Sequence, residues 1–163
     1  ENLLGKEGEG FKQMLITLDG GRISIGAMAL GLAQGALDCA LQYSADRVQF
    51  GRPIAYNQAI QHKLADMAME VEAARLLIYD CARRKDAGEK FTQHSAMCKL
   101  YASEVGRRTA ERALDILGGV GYYTGQYPAE RIWRDVKLCE IGEGTSEIQR
   151  LVIAREMLKT LKK

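Results

Sequence analysis

Between residues 58 and 87 the apolar side chains Ile60, Leu64, Met67, Val71, Ala74, Ile78 and Cys81 recur at steps of 4, 3, 4, 3, 4 and 3. A strand repeats every two residues, so this spacing excludes one and draws a single stripe along about six turns of α-helix. Such a stripe is the seam of a helix packed lengthwise against partners. Gly88 follows as a helix-ending residue. A second stripe, Cys98, Ala102, Val105, Thr109, Ala113 and Ile116, predicts a helix from about Thr92 to Leu117, stopped by Gly118-Gly119. Nothing alternates with period two over more than a few residues, and only 2 prolines, Pro53 and Pro128, interrupt the chain.

The flanking segments extend the pattern. A glycine-rich stretch at residues 5–10 leads into Phe11, Met14, Leu15 and Leu18, spaced as one helical face. Helix continues through Ile23, Ile25, Met28, Leu30, Leu37 and Leu41 to about Asp46. Gly26, Gly31 and Gly35 lie inside it. Each costs up to about 1 kcal/mol relative to Ala, which predicts close helix–helix approach at these points. A short helix is expected from Pro128, a residue suited to the first helical position, to near Cys139. A last helix begins near Thr145 or Ser146, either of which can cap it. Its stripe is Leu151, Ala154, Leu158 and Leu161, and lysines complement its C-terminal end. The expectation is an all-α protein: an antiparallel four-helix bundle with a short extra helix, one domain over residues 1–163.

Composition narrows the function classes. Lys plus Arg is 23 and Asp plus Glu is 21, a net charge of +2. That balance argues against nucleic-acid or acidic-membrane binding driven by bulk charge. No apolar stretch reads as a membrane span and no signal-peptide pattern stands at the start. The chain opens with Glu1, which points to a processed chain or a piece of something larger. Cys39, Cys81, Cys98 and Cys139 are spaced too widely for a CxxC motif and read as small thiols, mostly buried, in a reducing compartment. His62 and His94 stand far apart, so no metal site is expected.

Chemistry must therefore come from the breaks between helices, and three are specialised. The first is Arg47-Val48-Gln49-Phe50-Gly51-Arg52-Pro53, followed by Gln58. Arginine clamps phosphate through paired N–H donors and Phe50 could stack on a ring system. The same residues also fit a plain helix end with cations near its negative dipole, and alone they favour that plainer reading. The second break, Leu117-Gly118-Gly119-Val120-Gly121-Tyr122, lets a backbone approach a ligand. It follows a helix rather than a strand, so it is no Rossmann or P-loop fingerprint, and alone it is better explained as a glycine cap and tight turn. The third is Glu140-Ile141-Gly142-Glu143-Gly144-Thr145-Ser146-Glu147. Its flanking glycines would let a substrate lie against Glu143, and the helix start behind it offers free N–H donors. A solvated loop acid in a turn is the alternative.

Taken together and in order, these breaks resemble the C-terminal helical domain of the acyl-CoA dehydrogenases, most closely the short-chain (butyryl-CoA) type. The resemblance rests on Leu18-Asp19-Gly20-Gly21-Arg22, Arg47-Val48-Gln49-Phe50-Gly51, Gln58-Ala59-Ile60-Gln61, Ile116 to Tyr122, Pro128 to Arg131 with Arg134-Asp135, and Glu143 to Arg150. It implies a flavoprotein built from an N-terminal helical domain, a middle β-domain and this domain. The first two would be absent from this chain. It implies FAD as cofactor, an acyl-CoA substrate, an electron-transfer flavoprotein as partner, and a homo-oligomer, usually a tetramer, in the cytoplasm or mitochondrial matrix.

Carried over by position, Glu143 resembles the base that removes the proton α to the thioester carbonyl while the β-hydrogen leaves as hydride. Some branches of the family supply the base from the position of Gly21, which cannot serve. Arg47 resembles the residue at the FAD pyrophosphate, with Phe50 packing on the cofactor and Gln58 bonding to it. Asp115, Ile116, Leu117, Gly118 and Gly119 match a further contact segment, and in the family these contacts and those of Arg47, Phe50 and Gln58 typically reach a neighbouring subunit's flavin. Thr145 and Glu147 match further FAD positions, and Asp19, Gly20, Gly21, Arg22 and Gly144 match acyl-CoA positions. Three features depart from the pattern. Asp115 stands where Gln is usual, and an acid there repels a pyrophosphate unless protonated or paired. Gly142 stands where Tyr is common before the base, and one residue is added within Thr124-Gly125-Gln126-Tyr127. Two rival functions fit the same residues: an acyl-CoA oxidase-like flavoprotein, and a non-catalytic oligomerisation bundle.

Overall fold

The computed structural model describes residues 3–161. Helix α1 (Gly10–Asp46) runs into a two-residue hairpin, β1 (Val48–Gln49) and β2 (Arg52–Pro53), then a 3₁₀ turn at Ile54–Tyr56. Helices α2 (Gln58–Asp86) and α3 (Thr92–Leu117) follow, then the single turn α4 (Gly119–Tyr122), α5 (Ala129–Ile141) and α6 (Ser146–Lys159). Helix α3 is the axis: α1, α2, α5 and α6 all pack on it. The expected helical bundle is therefore present. Its α4 turn was not anticipated, and α5 begins at Ala129 with Pro128 as its N-cap, one residue later than expected.

The two stripes that predicted α2 and α3 do face the core. Met67, Val71, Ala74, Ile78 and Cys81 are buried on α2, and all six predicted stripe residues are buried on α3. Helix α3 buries a second stripe as well, Ala96, Lys99, Ser103, Gly106 and Ala110, because it has neighbours on every side. Helix α2 ends as predicted at Gly88: its amide donates to Lys85 O (3.0 Å) and that of Glu89 to Arg84 O (2.9 Å), a Schellman closure.

Helices α1 and α6 differ from expectation. Of the expected α1 positions, Leu30 is buried and Ile23, Ile25 and Leu37 pack partly buried against the core, but most of the fully buried face is small: Gly26, Ala29, Ala33, Ala36, Ala40 and Ser44. Phe11, Met14, Met28 and Leu41 are exposed. On α6 the predicted stripe points outward, with Leu151, Leu158 and Leu161 exposed, while Ser146, Gln149, Val152 and Glu156 face in. Close approach is also not where it was expected. A Cβ at Gly26 or Gly35 would meet only ordinary contacts at 3.6 Å, and one at Gly31 would meet nothing. The tight crossing is at Gly106, where a Cβ would lie 2.5 Å from Val136 Cγ2 and 3.3 Å from Ala29 O. One further correction concerns α1: it is long and apolar enough to cross a membrane by length and composition. In the bundle, Ala29, Ala33, Ala36 and Ala40 of that helix are instead fully buried against its neighbours.

Candidate active site

Glu143 sits in the short link between α5 and α6, with a left-handed backbone (φ 57°) followed by Gly144 at φ 94°. For a residue with a side chain that conformation costs about 1–2 kcal/mol and persists only where the surroundings fix it. Three groups do so. Thr145 caps α6, its hydroxyl accepting from the Ile148 amide at 3.4 Å. The Gln149 amide donates to Glu143 O (3.0 Å) and Gly144 O (2.9 Å). From α3, the ammonium of Lys99 donates to Gly144 O (2.7 Å) and Glu140 O (3.3 Å).

The turn throws the Glu143 side chain across α1. A Cβ placed on Gly21 would lie 2.6 Å from Glu143 Oε2 and 2.9 Å from Oε1, so the carboxylate rests on bare backbone. Oε2 is shielded from solvent and has no hydrogen-bond partner. A carboxylate oxygen without a donor keeps its lone pairs uncommitted. Thus Gly21 and Glu143 meet, and the absence of a side chain at Gly21 leaves the space that the carboxylate occupies.

Other predicted residues here are partly committed to the fold. Asp19 accepts from Arg22 Nη1 (2.5 Å) and from Thr92 Oγ1 (2.6 Å), and Arg22 is buried. That pair ties α1 to the start of α3, leaving Gly20 and Gly21 as the open part of the segment. Glu147 is exposed in the first turn of α6, where its own amide and the Thr145 hydroxyl hold its carboxyl below the ordinary range.

Arg47, Phe50, Gln58 and the 115–119 segment gather elsewhere, at the opposite end of α1. Val48 pairs with Pro53 and Gln49 with Arg52, and the hairpin closes through Phe50 (φ 52°) and Gly51 (φ 80°). Two left-handed residues make a type I′ turn, for which Phe is an unusual occupant. Its ring is 98% exposed. Arg47 lines an open cleft of ≈ 200 Å³ with Tyr43, Asp46, Val120, Gln126 and Tyr127. Tyr43 and Tyr127 meet edge to face at 5.4 Å, which fastens the 123–128 loop beneath the hairpin. Ile116 and Leu117 are buried in the core, so Gly118 and Gly119 are the exposed part of that segment. Asp115 is paired: Lys63 Nζ lies 2.6 Å from its Oδ2. The charge that would repel a pyrophosphate is thus met by a cation from α2.

Sequence reasoning missed Lys99 and Gln149. Lys99 has a signature visible once the packing is known. Lys99 interrupts a run of small residues at helical steps, Ala96, Ser103, Gly106 and Ala110, and a lysine in a buried stripe needs a reason. Burial pushes its amine down from the ordinary lysine value; Cys139 and Glu140 pull it back, Arg22 adds to the fall, and Glu143 opposes it.

The profile of the acyl-CoA dehydrogenase C-terminal domain matches residues 8–158. This chain belongs to the acyl-CoA dehydrogenase family. A probable acyl-CoA dehydrogenase of Bacillus subtilis is 58% identical over 158 residues, 97% of this chain and 41% of the relative. The rat mitochondrial short-chain specific acyl-CoA dehydrogenase is 54% identical over 160 residues, 98% of this chain and 39% of the relative. The three-dimensional structure of butyryl-CoA dehydrogenase from Megasphaera elsdenii superposes with a TM-score of 0.94 at 48% identity, covering 96% of this chain and 41% of that one. The chain therefore spans about two fifths of the acyl-CoA dehydrogenases it matches.

Proposed function

We propose that this chain is the C-terminal part of an FAD-dependent short-chain acyl-CoA dehydrogenase in which Glu143 takes the α-proton of a bound acyl thioester. The product is the trans-2-enoyl-CoA, and an electron-transfer flavoprotein takes the electrons onward. The observation that carries this reading is the Glu143 carboxylate on Gly21, with one shielded oxygen free of donors. A base used for carbon acids must keep a lone pair uncommitted and close to where substrate can lie, and a glycine floor meets both needs.

The residues present suit the cofactor. Phe50 offers an uncovered ring, the exposed Arg47 guanidinium has no ion-pair partner among the described residues, and Gly118-Gly119 offers backbone without side chains. Bound FAD supplies the hydride acceptor. Arg47 would meet its phosphates, Phe50 and Gln58 would orient it, and Thr145 and Glu147 would flank it beside the base. Along α1, Gly21 and Asp46 are separated by about 37 Å at 1.5 Å per residue. This separation suits the family pattern, in which Arg47, Phe50 and Gln58 would reach the flavin of a neighbouring subunit while Glu143 serves another. The separation supports a homo-oligomer, with a tetramer as the family's usual form. The free cysteines suit a reducing compartment, cytoplasm or mitochondrial matrix.

The test is Glu143→Gln in the full-length enzyme, mixed with butyryl-CoA in a single turnover. Flavin reduction should slow by about 10³-fold, within the range for loss of a general base, with the flavin retained. Bleaching at the unaltered rate would remove Glu143 from the reaction.

A further inference from the structure

Lys99 is the largest side chain that the bundle buries completely. Its amine has no carboxylate within ion-pair range among the described residues; both of its hydrogen bonds go to main-chain carbonyls. One is Glu140 O, in the last turn of α5, where free carbonyls gather negative potential. The other is Gly144 O, in the residue after the base, at 2.7 Å. A buried cation is costly, and an apolar side chain of similar length would fill the same space at less cost. Packing therefore does not account for a lysine here. What the lysine alone does is join the end of α5 to the left-handed turn that carries Glu143, across the bundle axis.

We propose that Lys99 is a positioning residue for the base: by holding the Glu140 and Gly144 carbonyls in one grip, it fixes the backbone of Glu143 so that the carboxylate lies on Gly21. Gln149 completes the hold from α6, sharing Gly144 O and taking Glu143 O. The lysine does not touch substrate and transfers no proton. Its effect is to keep the turn from relaxing into a right-handed conformation, which would swing the carboxylate off α1. This inference rests on Glu143 being the base.

The test separates proton removal from everything else. A 3-thia-acyl-CoA has an α-proton but no β-hydrogen to give as hydride. Its α-proton exchange with deuterated water, followed by mass spectrometry on the full-length holoenzyme, reads the base alone. Lys99→Met keeps the length and removes the donors; Lys99→Gln keeps an N–H group that is too short to span both carbonyls. Both should slow exchange at least 10-fold, leave the binding constant for the thia ligand within about 2-fold, and raise amide hydrogen exchange at residues 143–145. Exchange at the wild-type rate in either folded variant overturns the proposal, as does loss of ligand binding in step with the rate. If neither variant yields a folded holoenzyme, Lys99 is a folding determinant and the positioning role is refuted. Glu143→Gln run alongside keeps the two claims apart: if it too exchanges normally, the base assignment fails; if only the Lys99 variants do, the positioning role fails.

Discussion

Replacing Gly21 by alanine would put a methyl carbon 2.6 Å from Glu143 Oε2, so the carboxylate would have to leave α1. The helix itself would gain, because alanine is favoured over glycine by up to about 1 kcal/mol. We therefore expect opposite movements in one variant: an unchanged or higher melting temperature and flavin reduction slowed by about 10²-fold, the scale of a misplacement near 1 Å. Single-turnover kinetics and thermal melting of the full-length protein check this, and equal rates would mean that the carboxylate does not need the glycine. Much of this site was legible beforehand. Two glycines around an acid, and a glycine at Gly21 on helix α1, mark the positions that meet. The grip on the turn was not legible, since a lone lysine at a helical position reads as solvent-facing until its neighbours along the stripe are seen to be small and buried.

At the scale of elements, the bundle is set by how small its contacts are. The stripes on α2 and α3 are core-facing and were readable from spacing alone. Those of α1 and α6 misled for one physical reason: an apolar stripe records burial against something, and that something need not be in the same chain. Phe11, Met14, Leu151 and Leu158 have the periodicity of a core face yet stand exposed, while the fully buried positions are mostly alanine, glycine and serine on α1 and are Ser146, Gln149, Val152 and Glu156 on α6. The small-residue crossing of α1, α3 and α5 can be probed at Gly106. Gly106→Ala would drive a methyl into Val136 and the Ala29 carbonyl. Overpacking of this kind costs about 1–3 kcal/mol, several degrees in melting temperature at this chain length. An unaltered melting curve would show that the three helices separate freely at that point.

For the whole molecule, apolar side chains such as Phe11, Met14, Leu151 and Leu158 stand exposed, and the chain spans about two fifths of the relatives it matches. The long first helix then has a consequence for inheritance as well as for chemistry. If one protomer lends its carboxylate to a pocket whose phosphate clamp comes from another, two different cripples can rescue each other. Chains bearing Glu143→Gln and chains bearing Arg47→Ala, each feeble alone, should regain turnover when dissociated and reassembled together, because a mixed pair restores one intact pocket while concentrating both defects in the other. Absence of any recovery in verified hybrids would mean that each pocket is furnished by a single chain.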